Sequence, residues 1–292
     1  MRLPDFLVIG AMKAGSTTLY EDLRAQPGVF VAEKELDSLS RPDLDPAEYA
    51  RLFAGARPDQ VPGDVSATYA RRPETDGVAE RAERLLGAQF KVVYLVRDPV
   101  DRTVSHHFHR LARRTIDPSV DVAVRADHRL IDYSRYGMQL EPWLDVVGRD
   151  RVHLVHFERY VADRAAVLAE VLEFLGGPGP VQAARLDLVH NRGEGRHVAV
   201  GRRGRLVRSA AYRRYVRPRL PERARRRLAG AVLPTAPDRP APPSAETVEL
   251  ILDRTAADAA RLVEVFGPGA PQWDADAARA RYERLRAQQR TG

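Results

Sequence analysis

The N-terminal half of the chain is organised around the stretch FLVIGAMKAGSTTLYEDL, which runs from Phe6 to Leu23. Its apolar run from Phe6 to Ile9 is typical of a buried strand, it breaks at Gly10, and a helical pattern begins at Thr17. A strand, a turn of small residues and a helix N-terminus together present backbone N–H groups and a partial positive charge to an anion. The stretch therefore predicts a phosphate-binding loop in an α/β protein.

The position of the lysine separates this loop from the common nucleotide-hydrolase loop. In the pattern G-x-x-x-x-G-K-[ST] the lysine directly follows the second glycine, whereas here Lys13 precedes Gly15. This order argues against hydrolysis of a magnesium nucleotide, although a P-loop NTPase or kinase stays open as an alternative. The candidate phosphate ligands are the lysine, the backbone of the turn and the hydroxyls that follow: Lys13, Ala14, Gly15, Ser16, Thr17 and Thr18.

Lysine is rare in this chain, which makes its presence in the loop informative. Among the 47 lysine and arginine residues there are three lysines: Lys13, Lys34 and Lys91. Lysine is a compact point charge on a flexible stem, while arginine is a planar fork. We therefore expect Lys13 to lie between phosphate oxygens.

Length and composition indicate a soluble globular protein. The 292 residues are 44% hydrophobic, which suits one large α/β domain, and the absence of cysteine excludes a disulfide framework and a thiolate metal site. No signal peptide is visible, and no apolar run approaches the roughly 20 residues that span a bilayer. The expectation is a cytoplasmic protein without a transmembrane segment.

Short apolar runs alternate with helical patterns over residues 1–176, which predicts a central parallel sheet flanked by helices. The predicted helices are Thr17–Ala25, Pro46–Phe53, Thr75–Leu86, one from Pro99 to about Arg113, 158–176, and a last one capped by Ser244 that ends at Gly267. Residues 177–292 are predicted to be a basic, proline-interrupted helical extension of the same single domain, 1–292.

A block of arginines lies within that extension. Residues 202–227 hold twelve arginines and one glutamate, a charge of +11, so the remainder of the chain carries 7 − 11 = −4. Such a block binds an anionic ligand or a nucleic acid, or forms a solvated helix surface. A nucleic-acid-binding protein would leave the N-terminal loop without a purpose, so no nucleic-acid partner is predicted.

A second phosphate motif follows the most continuous apolar strand pattern, KVVYLVRDP at 91–99. It places Arg97 at the carboxyl end of a buried strand, where ligands of open α/β sheets bind. Ser105 follows eight residues later, about two turns into the next helix. A charged fork from Arg97 and a hydroxyl from Ser105 could hold one phosphate between them.

Together the two motifs resemble those of sulfotransferases that use 3′-phosphoadenosine 5′-phosphosulfate (PAPS), of the bacterial and Golgi carbohydrate type, with patterns like GxxKxGTTxL and RxPxxRxxSxY. The resemblance implies a three-layer, P-loop-like fold, PAPS as donor, adenosine 3′,5′-bisphosphate (PAP) as product, and no metal. It implies a late basic loop that closes over the nucleotide, through Arg202 or Arg203 here. The implied 5′-phosphosulfate ligands are Lys13, Gly15, Ser16, Thr17 and Thr18, and the implied 3′-phosphate ligands are Arg97 and Ser105.

The catalytic base follows from the same resemblance. EKELDSLS (33–40) is similar to the family's KExHFF, whose glutamate is the base; Lys34 and Glu35 match, while Asp37 replaces the histidine. The resemblance thus implies Glu35 as base, with Lys13 stabilising the leaving oxygen. The alternatives for the base are Asp64, Asp37 and His106.

The departures from the family pattern fall on the acceptor side. GDVSATY (63–69) is similar to GEKSPxY, with Asp64 for glutamate and Val65 for lysine. We therefore expect an unchanged donor and an acceptor other than a typical glycosaminoglycan: a hydroxyl of a carbohydrate, glycolipid or secondary metabolite. A non-catalytic family member that binds PAP is the further alternative. The cluster of His106, His107 and His109 lacks other ligands at suitable spacing, so no metal site is predicted.

Overall fold

The computed structural model describes residues 2–177 and 238–291. Its centre is a five-stranded sheet of order β2-β3-β1-β4-β5 in which every pairing is parallel. The predicted α/β fold with a central parallel sheet is confirmed. The strands are β1 (Phe6–Gly10), β2 (Val29–Val31), β3 (Val61–Val65), β4 (Lys91–Val96) and β5 (Val152–His156).

Eleven α-helices lie in the described ranges. They are α1 (Ser16–Ala25), α2 (Pro46–Arg51), α3 (Val78–Leu86), α4 (Pro99–Ala112), α5 (Val120–Ala126), α6 (Arg129–Asp132), α7 (Tyr136–Val147), α8 (Phe157–Ala162), α9 (Arg164–Leu175), α10 (Ala245–Phe266) and α11 (Ala275–Thr291). None of these helices has the length and apolar character that crossing a membrane requires.

The order of the strands explains where the ligand loops lie. β1 and β4 occupy the middle of the sheet and are almost wholly buried, as their continuous apolar sequences predict. From β1 the chain first builds towards β2 and β3 on one side, and then crosses to β4 and β5 on the other. The carboxyl ends of β1 and β4 therefore flank the point where strand order reverses, which is where open α/β sheets bind ligands.

The C-terminal helices α10 and α11 contribute to a second hydrophobic cluster, separate from the one around the sheet. The predicted helix after Ser244 is confirmed as α10, and the Ser244 hydroxyl caps it by accepting the Thr247 N–H at 3.2 Å. α10 packs against α7 through Asp258, which accepts the Met138 N–H at 2.6 Å and the Arg135 Nε–H at 3.0 Å. α11 was not predicted from the sequence.

The predicted helix over Pro46–Phe53 ends at Arg51, and two other predicted helices differ more from the structure. The helix expected over 158–176 is interrupted at Asp163, which has extended backbone and whose carboxylate accepts the Ala166 N–H at 3.1 Å, so that it ends α8 and caps α9. The helix expected from Thr75 starts at Val78, because Gly77 is left-handed with φ 68°. The arginine block 202–227 and its candidate ligands Arg202 and Arg203 lie outside the described residues.

Candidate active site

The phosphate loop joins the end of β1 to the start of α1. Gly15 adopts a left-handed conformation with φ 97°, and a Cβ at this position would lie 3.0 Å from the Phe157 ring, so both backbone and space favour glycine. The helix begins at Ser16, and the Thr18 N–H bonds to the Gly15 carbonyl at 2.9 Å. The first N–H groups of a helix, here those of Ser16 and Thr17, have no carbonyl of the helix to bond, which suits an anion at this position.

Lys13 has an unusual backbone conformation for its residue type. Its φ is 73°, in the left-handed region that non-glycine residues rarely occupy. Such conformations cost of order 1–3 kcal/mol and concentrate at ligand-binding sites. The conformation of Lys13 therefore supports a functional rather than a packing role for the loop.

Arg97 connects the second motif to the first. Its Nη1–H donates to the Lys13 carbonyl at 3.2 Å, and its guanidinium carbon lies 4.5 Å from the centroid of the Phe157 ring. Its Nε is buried and has no hydrogen-bond partner among the described residues. The Tyr136 hydroxyl holds the backbone by donating to the Arg97 carbonyl at 2.6 Å. The structure thus brings the two predicted phosphate motifs into direct contact and leaves an Arg97 donor for a ligand.

Ser105 lies on α4, the helix that begins two residues after Arg97, and is half-buried. Its part in holding the same phosphate as Arg97 stays a prediction. Ala14, the small residue of the loop, is fully buried.

Arg102 is a residue of this region that sequence reasoning missed. It is fully buried, bonds to the Ser134 hydroxyl and the Leu130 carbonyl, and reaches the Met12 carbonyl at 3.4 Å. Burial lowers its pKa to about 10, which still leaves it charged at neutral pH. Arg102 therefore links α4 to the phosphate loop through its contact with Met12. The sequence did contain a signal for this residue, because Arg102 is the second arginine of the family pattern RxPxxR. The pattern does not reveal that this arginine contacts Met12.

Glu35 has the most exposed carboxylate among the predicted base candidates. Its backbone is left-handed with φ 60°, and its N–H bonds to the Val65 carbonyl at 3.0 Å, which holds it beside the carboxyl end of β3. Its side chain is 53% exposed and pairs with the ammonium of Lys34. The exposure of this carboxylate lets it meet an acceptor.

Asp64 is enclosed. One carboxylate oxygen accepts hydrogen bonds from the Tyr49 hydroxyl at 2.8 Å and the Tyr69 hydroxyl at 2.6 Å. Burial raises the pKa of Asp64 to about 6, and the charge of Asp37 acts in the same direction. Asp37 itself accepts the Thr68 hydroxyl. Asp64 is 1% exposed, so these contacts hold it inside the protein, away from the accessible surface.

The raised pKa of Asp64 predicts how its contribution to stability changes with pH. Because the native state binds this proton more tightly than the unfolded chain, whose carboxyl pKa is about 4, the contribution becomes more favourable as pH falls from about 6 to about 4. Relative to Asp64→Asn, the free energy of unfolding of the unaltered chain should rise by about 2–3 kcal/mol over that window. Urea denaturation of both proteins between pH 7 and pH 4 measures this, and parallel curves would contradict it.

His106 is buried within α4 and stacks on Tyr133, with ring centroids 5.4 Å apart. Burial, and then the charge of Arg102, hold its pKa well below the usual value, so its imidazole is neutral. Its neighbour His107 bonds to the Asp117 carbonyl at 2.8 Å. Within residues 2–177 and 238–291, no group of three or more His, Asp or Glu side chains is placed to hold a metal ion. The metal-free reaction stays a prediction.

A separate cavity of about 580 Å³ lies beside β5, the last strand in the sheet order. Of the predicted donor and acceptor residues that the structure describes, none lines it. Its lining includes Arg149, His153, Arg159, Phe266 and Gly269.

Comparison with known proteins identifies the family. A family model described as "Sulfotransferase domain" matches residues 3–191, more than half of the chain. The chain belongs to the sulfotransferase family, as the two motifs had led us to expect.

Curated relatives include mouse heparan sulfate glucosamine 3-O-sulfotransferase 3B1, which is 30% identical over 189 residues, 60% of this chain and 46% of the relative. Human heparan sulfate glucosamine 3-O-sulfotransferase 5 is 24% identical over 208 residues, 66% of this chain and 59% of the relative. The chain spans about half the length of the curated relatives it matches.

Two solved structures share the fold. A sulfotransferase from Alicyclobacillus acidocaldarius superposes with a TM-score of 0.63 at 21% identity, over 96% of this chain and 100% of that chain. The sulfotransferase domain from the curacin biosynthetic pathway gives a TM-score of 0.50 at 20% identity, over 65% of this chain and 80% of that one. Both likenesses confirm the three-layer α/β architecture.

Proposed function

We propose that this chain is a PAPS-dependent sulfotransferase that moves a sulfuryl group onto an acceptor hydroxyl. The observation that carries the proposal is the hydrogen bond from Arg97 to the Lys13 carbonyl, which joins two phosphate motifs at the switch point of the sheet. A ligand with phosphate groups at both ends of one nucleoside fits such a paired site. Membership of the sulfotransferase family supports the same donor.

The residues present fit this donor. The start of α1 and the left-handed loop around Lys13 suit the 5′-phosphosulfate, and the unpartnered Nε of Arg97 suits the 3′-phosphate, with Ser105 as its hydroxyl partner. Bound PAPS supplies the activated sulfuryl group. The protein supplies the positioning and the charge.

The division of labour among the residues follows from their placement. Glu35 accepts the proton of the acceptor hydroxyl, because its carboxylate is the most exposed among the base candidates. Lys13 offsets the negative charge that develops on the leaving phosphate oxygen. Asp64 is buried and bonded to two tyrosines, so it contributes to the packing of the protein and not to proton transfer.

The acceptor we propose is a hydroxyl of a carbohydrate, glycolipid or secondary metabolite. The relatives named above are described as acting on heparan sulfate glucosamine. In this chain the two segments that depart from the family pattern are 33–40 and 63–69. The first carries Asp37, which is bonded to Thr68, and in the second Val65 stands where the family pattern has lysine. Loss of that cation and gain of a carboxylate favour an acceptor with less negative charge than a glycosaminoglycan.

The experiment that tests the proposal is calorimetric binding of PAP without magnesium, beside 5′-AMP and Mg-ATP. We expect PAP to bind best, and Arg97→Ala to weaken it about 10- to 100-fold, as expected for loss of a charged hydrogen bond. Arg113→Ala is the matched control, because Arg113 is an exposed arginine just beyond the end of α4, the helix that follows Arg97.

Three outcomes would change the conclusion. Preference for Mg-ATP would favour a P-loop NTPase or kinase. Equal binding of PAP by the Arg97→Ala protein would remove the 3′-phosphate site. Tight PAP binding without sulfuryl transfer to any hydroxyl acceptor in a screen would indicate a non-catalytic PAP-binding protein.

A further inference from the structure

The C-terminal helix α11 docks on the first turn of α4. Ala278 and Tyr282 of α11 are buried, at 1% and 4% exposure, in a cluster with Val100 of α4 and with Val248 and Ile251 of α10. The Tyr282 hydroxyl donates to an Asp101 carboxylate oxygen at 2.7 Å. The packing thus brings the last helix of the chain against the helix that carries Ser105.

Arg281 of α11 joins two carboxylates of that turn. Its Nη2 lies 3.0 Å from Asp98 Oδ2 and 3.3 Å from Asp101 Oδ1. Asp98 is itself the cap of α4, since its Oδ1 accepts the Asp101 N–H at 2.9 Å. Among the described residues, Arg281 is the cation that forms an ion pair with either carboxylate.

These carboxylates adjoin the proposed 3′-phosphate ligands. Asp98 directly follows Arg97 in the chain, and Asp101 precedes Ser105 by one helical turn, on the same face of α4. A third carboxylate, that of Glu158, accepts the Asp98 N–H at 2.8 Å. Three carboxylates therefore lie on or beside the segment that carries the proposed phosphate ligands, and their negative charges oppose the binding of a doubly charged phosphate there.

We propose that Arg281 is a positioning residue for the 3′-phosphate end of the donor. It neutralises Asp98 and Asp101, so that Arg97 and Ser105 meet the phosphate without the opposing charge of those two carboxylates. The inference rests on the proposed function, because it concerns the same donor site. It assigns α11 a part in donor selectivity as well as in packing.

The test compares PAP with 5′-AMP, which lacks the 3′-phosphate, in calorimetric titrations of the full chain. We expect Arg281→Ala to raise the Kd of PAP about tenfold and that of 5′-AMP less than twofold. Arg281→Lys should keep most of the PAP affinity, because it retains the charge. Adding Asp101→Asn to Arg281→Ala should restore at least half of the lost affinity on a logarithmic scale.

Asp101→Asn alone provides a variant that keeps the Arg281 contact to Asp98 and the packing of α11. It should tighten PAP or leave it unchanged, whereas a purely structural role for the ion pair predicts weaker binding. Thermal melts of every variant check that it folds. Added salt should narrow the difference in PAP affinity between the Arg281→Ala protein and the unaltered chain, because salt screens the charges involved.

The outcomes separate this inference from the proposed function. Failure of the unaltered chain to bind PAP would overturn both. PAP binding by the unaltered chain, with Arg281→Ala weakening PAP and 5′-AMP equally or weakening neither, would overturn the role of Arg281 alone. Failure of Asp101→Asn to rescue the double variant would also overturn it.

Discussion

Replacing Lys13 with methionine is expected to lower kcat for sulfuryl transfer by about 10²–10³-fold, the usual range for removing one preorganised stabiliser of developing charge. PAP binding should weaken less, about tenfold, because the 5′-phosphate keeps the helix N-terminus and the 3′-phosphate keeps Arg97. Methionine retains the length of the side chain and removes its charge. The effect should therefore fall mainly on the transition state.

The measurement is single-turnover transfer from PAPS to an acceptor found by screening, beside PAP calorimetry. Arg24→Met is the control. Arg24 lies in the last turn of α1, the helix that follows the phosphate loop; it is 59% exposed and pairs with Glu21 at 3.5 Å. It should change neither quantity by more than about twofold. Equal losses in kcat and in PAP affinity for Lys13→Met would assign Lys13 to binding alone.

Glu35→Gln is expected to lower transfer by about 10²–10⁴-fold, the range for general acid–base catalysis, and to leave PAP affinity unchanged. The amide has the shape of the carboxylate but cannot take the acceptor's proton. PAP affinity should hold because PAP lacks the sulfuryl group and is bound without the acceptor hydroxyl, the two groups between which Glu35 is proposed to act.

Two further substitutions decide between Glu35 and the other acidic candidates. Asp37→Asn should change transfer by about tenfold or less, because Asp37 is bonded to Thr68. Asp64→Asn should act mainly on stability, because the carboxylate is enclosed by Tyr49 and Tyr69. Full activity of Glu35→Gln, with loss in Asp64→Asn, would move the base to Asp64.

Much of the fold followed from local pattern. Continuous apolar runs predicted β1 and β4, because strands buried on both faces need apolar side chains at every position. Asp45 and Ser244 predicted the starts of α2 and α10 through their capping side chains. The break at Asp163 and the existence of α11 were missed, since both depend on how helices dock rather than on local propensity.

The candidate site was predicted by motif and completed by geometry. Spacing and residue type identified Lys13 and Arg97 as candidates, and the resemblance to the family identified Glu35. Neither could show that Asp64 is enclosed by two tyrosines while Glu35 stays exposed, because burial is a property of the packed chain.

The sequence by itself determined the α/β class, the order of lysine and glycine in the phosphate loop, and the family to which the motifs belong. These depend on residues close together along the chain, where periodicity and turn chemistry act. The tertiary structure alone decided which distant residues meet: Arg97 with Lys13, Arg102 with Met12, and Arg281 with Asp98. The reason is physical, since each contact joins residues separated by more than 80 positions, and only folding of the sheet and its helices brings them within hydrogen-bonding distance.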